Sequence, residues 1–331
     1  MTVAVTVAQI AVMEVKLDLP RAPATSVLEV LEQNAAFILN ILAPCVWCLL
    51  FIVIMDLSSF VSLLYVPVLG VFAACLANAV PIGGGVVYVP ALYLLGLDVQ
   101  LGAAFSIATM PIGNGIFGFL RWLIKDKSLI VWKSFVYTVV PSSIGSFIAI
   151  LLLPQMNDVF IKRLFAVFCT FLCIFVSLSI YRDGLDKVIN VVAESESVPL
   201  TVGNEPSESI IGSYPYEKLA IVSFLAGLIL VPNIAIGPGM ITYLMLILMK
   251  FPPKAAMVTG VITGGWVCIL PFLLHLVVLH DVPFKLWIMV IPGVHFGAMI
   301  APFVHEYLGQ NHINKAFAVF LLLTALLFFF H

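Results

Sequence analysis

Charge is what this chain lacks. Of its 331 residues only 10% are Asp, Glu, Lys or Arg, whereas a soluble domain carries about 25%. A water-facing surface cannot be built from that inventory, so a soluble enzyme and a disordered chain are both excluded. Neither sign of charge is in excess. The 15 basic and 17 acidic residues leave a net charge of −2, with no positive field for nucleic acid. Cysteine is scarce and badly placed for a disulfide scaffold. All six (Cys45, Cys48, Cys75, Cys169, Cys173 and Cys268) fall inside apolar runs. They read as small packing residues; a redox or metal pair at Cys45-x-x-Cys48 or Cys169-x3-Cys173 is the disfavoured alternative, and no metal or cofactor is expected.

What is present is apolar: 63% of residues are hydrophobic and the mean hydropathy is +1.18. Lipid is the main solvent, and an integral, multi-pass, all-α membrane protein follows. Residues 1–34 form an N-terminal segment, with an apolar start from Met1 to Met13 and then Lys16, Asp18 and Arg21. No basic residue precedes the apolar part, so a signal peptide is a weak reading. An extra span lies in residues 35–60, its apolar core running from Ala35 to Met55 without a charge. Leu63 to Leu97 is too long for one crossing and is interrupted by Pro81-Ile82-Gly83-Gly84-Gly85. Spans follow at Leu101–Leu120, Leu129–Leu153 and Phe160–Ile180. From Arg182 the composition changes to Glu, Asp, Ser, Gly and Pro, and residues 181–217 read as an acidic, solvated connector. Residues 218–331 then resume the earlier pattern. An apolar run from Leu219 breaks at Gly237-Pro238-Gly239, a short helix runs from Met240 to Met249, and spans cover Ala255–Val278, Leu286–Val304 and Ala316–Phe330.

Residues 61–180 and 218–331 are a duplication. A shift of 154 residues lays Ile236, Gly237 and Gly239 over Ile82, Gly83 and Gly85, and Thr263 over Thr109. A shift of 152 lays Ile313 to Phe320 over Ile161 to Phe168. Matching glycine breaks at one place in both halves are not a product of apolar composition. If each broken segment is a re-entrant hairpin, each repeat has three full crossings and the two halves are inverted. Lysine and arginine then segregate. Lys125, Lys127, Lys133, Lys250, Lys254 and most other basic residues fall on one side, against Lys162, Arg163 and Lys285 on the other. The richer side is the cytosolic one, with the N-terminus and the connector. A broken segment that crossed fully would give parallel repeats with no such segregation.

Three consecutive glycines cost about 1 kcal/mol each in a helix relative to alanine. In lipid such a break survives only where it lines a polar cavity or is covered by protein. In each repeat a short helix follows directly, so its free amides and positive dipole end make an anion site without a basic side chain. The candidate residues are Gly83, Gly84, Gly85, Val86, Gly237, Gly239 and Met240. Close packing of tilted helices is the alternative use of the same glycines. The next helix of each repeat adds hydroxyls: Ser106 and Thr109 in the first, Thr259 and Thr263 in the second. Asn78 and Asn233 precede the breaks and either line the same cavity or satisfy opened backbone. No carboxylate or basic residue sits at the centre of a full span, which argues against a cation pump. His295, mid-span after Pro292-Gly293, is the candidate for coupling to protons; a neutral histidine bonded to a backbone carbonyl is the plainer reading. No nucleophile–base pair or carboxylate pair lies within the spans, so enzymatic function is not expected.

Ile82-Gly-Gly-Gly85, Val89-Pro90-Ala91-Leu92 and Gly96-Leu97 resemble the signature of the sulfite exporter TauE/SafE family, the toluenesulfonate-uptake permeases. Phe251-Pro252-Pro253-Lys254 to Gly260 is similar to that family's turn and helix start, and Ile161 to Phe168 to its last span of a repeat. The chain departs from the pattern at Gly102, Phe105, Pro238 and Gly260. The resemblance implies a secondary permease whose partner is a small anionic substrate, a sulfur-containing oxyanion such as sulfite or an organosulfonate. The alternative is an anion channel, or a permease for another small solute, on the same scaffold.

Overall fold

The computed structural model describes residues 27–79, 83–152, 156–195, 216–236 and 238–330. Of the features read above, residues 1–26, Pro81, Ile82, Gly237 and connector residues 196–215 lie outside them. Every regular element among the described residues is a helix, and seven helices are long and apolar enough to cross a membrane. These are α1 (Val27–Ile54), α5 (Val99–Leu129), α6 (Trp132–Leu152), the Asp158–Leu178 part of α7 (Asp158–Ser195), α11 (Pro253–Leu279), α12 (Phe284–Ala301) and α13 (His312–Phe330). Shorter helices are α2 (Leu57–Ser62), α3 (Val66–Ala79), α4 (Gly85–Leu94), α8 (Tyr216–Ile229), α9 (Val231–Ile234) and α10 (Pro238–Leu248).

Three boundaries differ from the sequence reading. α5 runs nine residues past Leu120, to Leu129, its last turns carrying Arg121, Lys125 and Lys127. α1 begins eight residues before Ala35, because Leu28, Glu29, Leu31, Glu32 and Gln33 are strong helix formers outside the apolar core of the span. α7 continues to Ser195, past the composition change at Arg182. Polarity separates water from lipid; it does not separate helix from coil. α2 was not expected at all. Asp56 caps it, its Oδ1 accepting from the Ser59 amide at 2.8 Å.

The bundle has a buried centre and a peripheral first helix. In its most apolar stretch α5 is 89% buried and α1 only 6%. Lipid tails are as apolar as leucine, so helices associate here by close packing at small residues. α3 lies on α12, and α8 lies on α6. Gly293 meets the Pro67 carbonyl, and a Cβ on Gly297 would stand 2.5 Å from the Val71 oxygen. In the other pair Gly145 meets the Phe224 carbonyl and Gly227 that of Ser142. The helix that precedes each glycine break thus packs on a long span from the other half of the chain. α7 and α13 pair through Phe165 and Phe328, whose rings are 5.0 Å apart. α5 crosses α11 where Gly265 meets the Gly115 amide.

Polar contacts gather at the two ends of the bundle. At one end Lys285 Nζ donates to Asp56 Oδ2 (2.5 Å), Gln100 Nε2 to the Met156 carbonyl (2.9 Å) and Lys162 Nζ to the Tyr93 hydroxyl (3.1 Å). Gln100 and Met156 share a depression there with His275 and Asp281. At the other end Lys127 pairs with Glu32 (2.7 Å), the Val131 amide donates to Thr259 Oγ1 (2.9 Å), Lys133 Nζ lies 4.4 Å from the Tyr216 ring centre and Lys125 Nζ 5.8 Å from that of Phe303.

Candidate functional site

Both breaks lie in the interior, and they touch. After α3 the chain turns through Gly83 at φ +58°, a left-handed conformation that L side chains rarely adopt, and α4 starts at Gly85. The Val87 and Tyr88 amides both go to the Gly84 carbonyl at 2.9 Å, closing the first turn. In the second half, α8 gives way to α9, and Ala235 ends α9 at φ 52°. A β-carbon makes that conformation unfavourable by roughly 1–2 kcal/mol, so the surrounding packing must hold it. That packing is the first break: a Cβ on Gly85 would stand 2.6 Å from the Ala235 oxygen and 2.9 Å from that of Ile234. Gly239, at the start of α10, meets the Gly260 carbonyl of α11. Val86, Ile234, Ala235, Ile236 and Met240 around this junction are 2% exposed or less.

Two small spaces lie at the junction and a larger one opens near it. One, of about 10 Å³, is bounded by Gly83, Met110, Ala235, Gly239, Met240 and Gly264. A second of the same size is bounded by Gly84, Tyr88, Thr109, Met110, Gly113 and Asn114. Each has room for about one water molecule. The third is a vestibule of about 100 Å³, open at the end of the bundle that carries Lys162 and Lys285. It reaches inward to Pro232 and Asn233, two residues before Ala235. On its wall His275 Nδ1 lies 2.8 Å from Asp281 Oδ1.

The residues singled out from sequence are distributed over this geometry unevenly. Gly83, Gly84, Gly85, Val86, Gly239 and Met240 all lie at the junction; Gly237 falls outside the described residues. Ser106 is fully buried beside the first break, and its hydroxyl has no partner. Thr109 and Thr263 are buried on the two crossing helices. Their hydroxyls donate to the carbonyls four residues back, Phe105 at 2.7 Å and Thr259 at 2.6 Å. Thr259 is tied to the loop before α6, accepting from Val131 N and donating to the Leu129 carbonyl at 3.3 Å. Asn78 donates to the Ala74 carbonyl (2.8 Å) and to Asn114 Oδ1 (3.3 Å). Asn233 donates to the Ile229 carbonyl at 2.7 Å and lines the vestibule. His295 is not at the junction. Its ring packs edge-on against Phe117 at 4.7 Å and lines an apolar groove of about 360 Å³ with Trp47 and Pro44 of α1.

Three residues at the junction escaped the sequence reading. Tyr88, Met110 and Asn114 line the small cavities, and Asn114 sits in a π-helical stretch of α5, Pro111–Gly118. Such wide turns recur at functional sites. Pro111 marks the stretch in the sequence: it lacks an amide and its ring crowds the preceding turn. Tyr88 and Met110 carry no signal of their own in an apolar run.

The sulfite exporter TauE/SafE family model matches residues 66–328, from the start of α3 nearly to the end of α13. No curated protein and no solved structure matches the chain. The match takes in both breaks, the crossing helices α5 and α11 and every residue that lines the three cavities. The chain belongs to the sulfite exporter TauE/SafE family, whose members are membrane transporters.

Proposed function

We propose that this protein is a secondary permease that carries a small sulfur-containing oxyanion, such as sulfite or an organosulfonate, between two inverted halves. Its site is the junction of the two breaks. The observation that carries this is their contact in the buried centre, next to a vestibule open at one end of the bundle.

Inversion is supported by length and by contacts. At 1.5 Å per residue, α3 and α4 extend about 21 and 15 Å, short of a hydrocarbon core of about 30 Å. α3 follows the Asp56–Lys285 pair after the short α2, and α4 ends beside the Tyr93–Lys162 bond. The vestibule residues Gln100, Met156 and Asp281 tie those two contacts to one end of the bundle. α8 begins at Tyr216, under Lys133, and α10 leads into the α11 segment whose Thr259 holds Val131 at the opposite end. Each broken segment thus reads as a re-entrant hairpin, one from each side. The end with Lys125, Lys127, Lys133 and Lys254 is the cytosolic side in this scheme, with the N-terminus and the connector; the vestibule faces away from it.

Alternating access follows if one half rocks against the other about the junction. The cavities there are too small for an oxyanion, so the arrangement corresponds to a closed state that must widen to load. Proton coupling, if it accompanies transport, fits His275 with its Asp281 partner on the vestibule wall better than His295 in the α1 groove. The test is uptake of labelled sulfite, sulfate, thiosulfate and taurine into proteoliposomes. Saturable uptake of an oxyanion with counterflow is expected. Ohmic single-channel current without counterflow would replace the carrier by a channel.

A further inference from the structure

The two breaks correspond in sequence, but the side chains around them do not. Beside the first break three buried hydrogen-bond donors have no partner, the Tyr88 hydroxyl, Ser106 Oγ and Asn114 Nδ2, and one acceptor, Asn78 Oδ1, is likewise unpaired. The residues of the three donors are 2%, 0% and 3% exposed. Tyr88 and Asn114 border the same small cavity as Gly84, and a Cβ on Gly84 would stand 3.8 Å from Ser106 Oγ. The three donors flank the amino end of α4, where the helix dipole is positive. The same positions in the second half, 154 residues on, are Thr242, Gly260 and Cys268. Thr242 is bonded to Thr138 Oγ1 (3.0 Å) and to the Pro238 carbonyl (2.9 Å); Gly260 has no side chain; the Cys268 sulfur lies 3.8 Å from Met110 Sδ. Polar groups left unpaired in a lipid-embedded core are unfavourable, and a ligand that accepts from the three donors pairs them.

We infer that the oxyanion is bound one-sidedly, by Tyr88, Ser106 and Asn114 of the first half, and that Met110 is the stopper which must move to admit it. This rests on the junction being the substrate site. Met110 borders both small cavities. A Cβ on Gly83 would stand 2.7 Å from its terminal methyl, and one on Gly264 3.5 Å from the same atom. An unbranched thioether is the side chain best able to swing aside. Withdrawing it joins the two cavities into one space between Gly84 and Gly239, with donors on one wall only. The second half, with Gly264 at the position of Met110, has no matching stopper.

The test uses the full chain in lipid nanodiscs with labelled sulfite, sulfate and thiosulfate as probes, alongside proteoliposome uptake. S106A and Y88F should each weaken binding of the preferred anion by about tenfold, the usual effect of losing one hydrogen bond to a charged group. N114D should abolish binding, T242V should leave it within about twofold, and M110W should block uptake. S106A changes the packing least and decides the question if a larger change prevents folding. Wild-type binding with unchanged affinity in S106A and Y88F, or an equal loss in T242V, overturns one-sided recognition while leaving the site itself in place. Failure of the folded wild-type chain to bind or carry any of the three anions overturns the site reading, and this inference with it.

Discussion

At Gly85 a single missing methyl group decides whether the two breaks can meet. A Cβ there would sit 2.6 Å from the Ala235 oxygen, a separation that real β-carbons do not reach. G85V should therefore push the breaks apart and reduce uptake at least a hundredfold, with expression and membrane insertion unchanged. Normal uptake by G85V would remove the junction from the mechanism. The glycines were legible in the sequence because a run of them breaks a helix, and a break inside lipid needs cover or a polar cavity. Thr109 and Thr263 were legible as buried hydroxyls, but their direction was not. In a helix the carbonyl four residues back is always within reach, and both hydroxyls take it. Tyr88 was hidden for the opposite reason: an aromatic in an apolar run looks like packing until its hydroxyl is found without a partner. The two histidines separate in the same way. H275A should reduce uptake, since it removes the contact with Asp281 on the vestibule wall. H295Q should leave uptake unchanged, its ring lying in the α1 groove; the reverse pattern would return the role to His295.

Among the elements, the helices themselves were readable from apolar length, and the limits of the seven long spans fall within a few residues of expectation apart from the start of α1 and the end of α5, which runs nine residues past Leu120. Local geometry was not. Of the π-helical turns, Pro111–Gly118 starts on a proline, whose missing amide leaves a carbonyl unpaired, and Ile38–Leu42 lies two residues before Pro44, whereas His275–Leu279 has none beside it. A proline marks the distortion in sequence but not its form. α2 went unseen because six residues carry too little periodicity, although Asp56 followed by Ser58 and Ser59 is a helix start. Asp56 also ties this corner to α12. The Lys285 ammonium, with hydrogen bonds from Ser58 and Ser59, holds its carboxyl well below the usual carboxylate range. A lowered carboxyl pKa stabilises above the unfolded value, about 3.9, and that contribution is lost only as pH falls through the lower, folded value. D56N should thus lower Tm slightly and by the same amount from pH 5 to pH 8, and less in high salt because the pair is exposed. A loss confined to one part of that range would mean that another group is responsible.

For the whole molecule, the paired glycine breaks and the lysine distribution pointed to two opposed halves before any contact was known. The reciprocal packing of α3 on α12 and α8 on α6 fits a two-fold relation of the halves, and their opposition is the proposal that side-specific labelling tests. The inequality between the halves was not legible, because a matched pair of breaks says nothing about which flanking side chains find partners. Single cysteines at positions 127 and 254, in a chain freed of its exposed Cys45 and Cys48, should react with an impermeant reagent from one side of the membrane, and cysteines at 100 and 285 from the other. Labelling of 127 and 254 from opposite sides would rule out inverted hairpins. The most direct measurement of all is the anomalous signal of selenium in crystals grown with selenate, a heavy analogue of a sulfur oxyanion. The expected result is one peak between Gly84 and Gly239, within hydrogen-bond distance of Ser106 and Tyr88, with Met110 displaced. Selenate found only against the lysines at the ends of the bundle, in protein that still transports the anion, would contradict recognition by the broken helices.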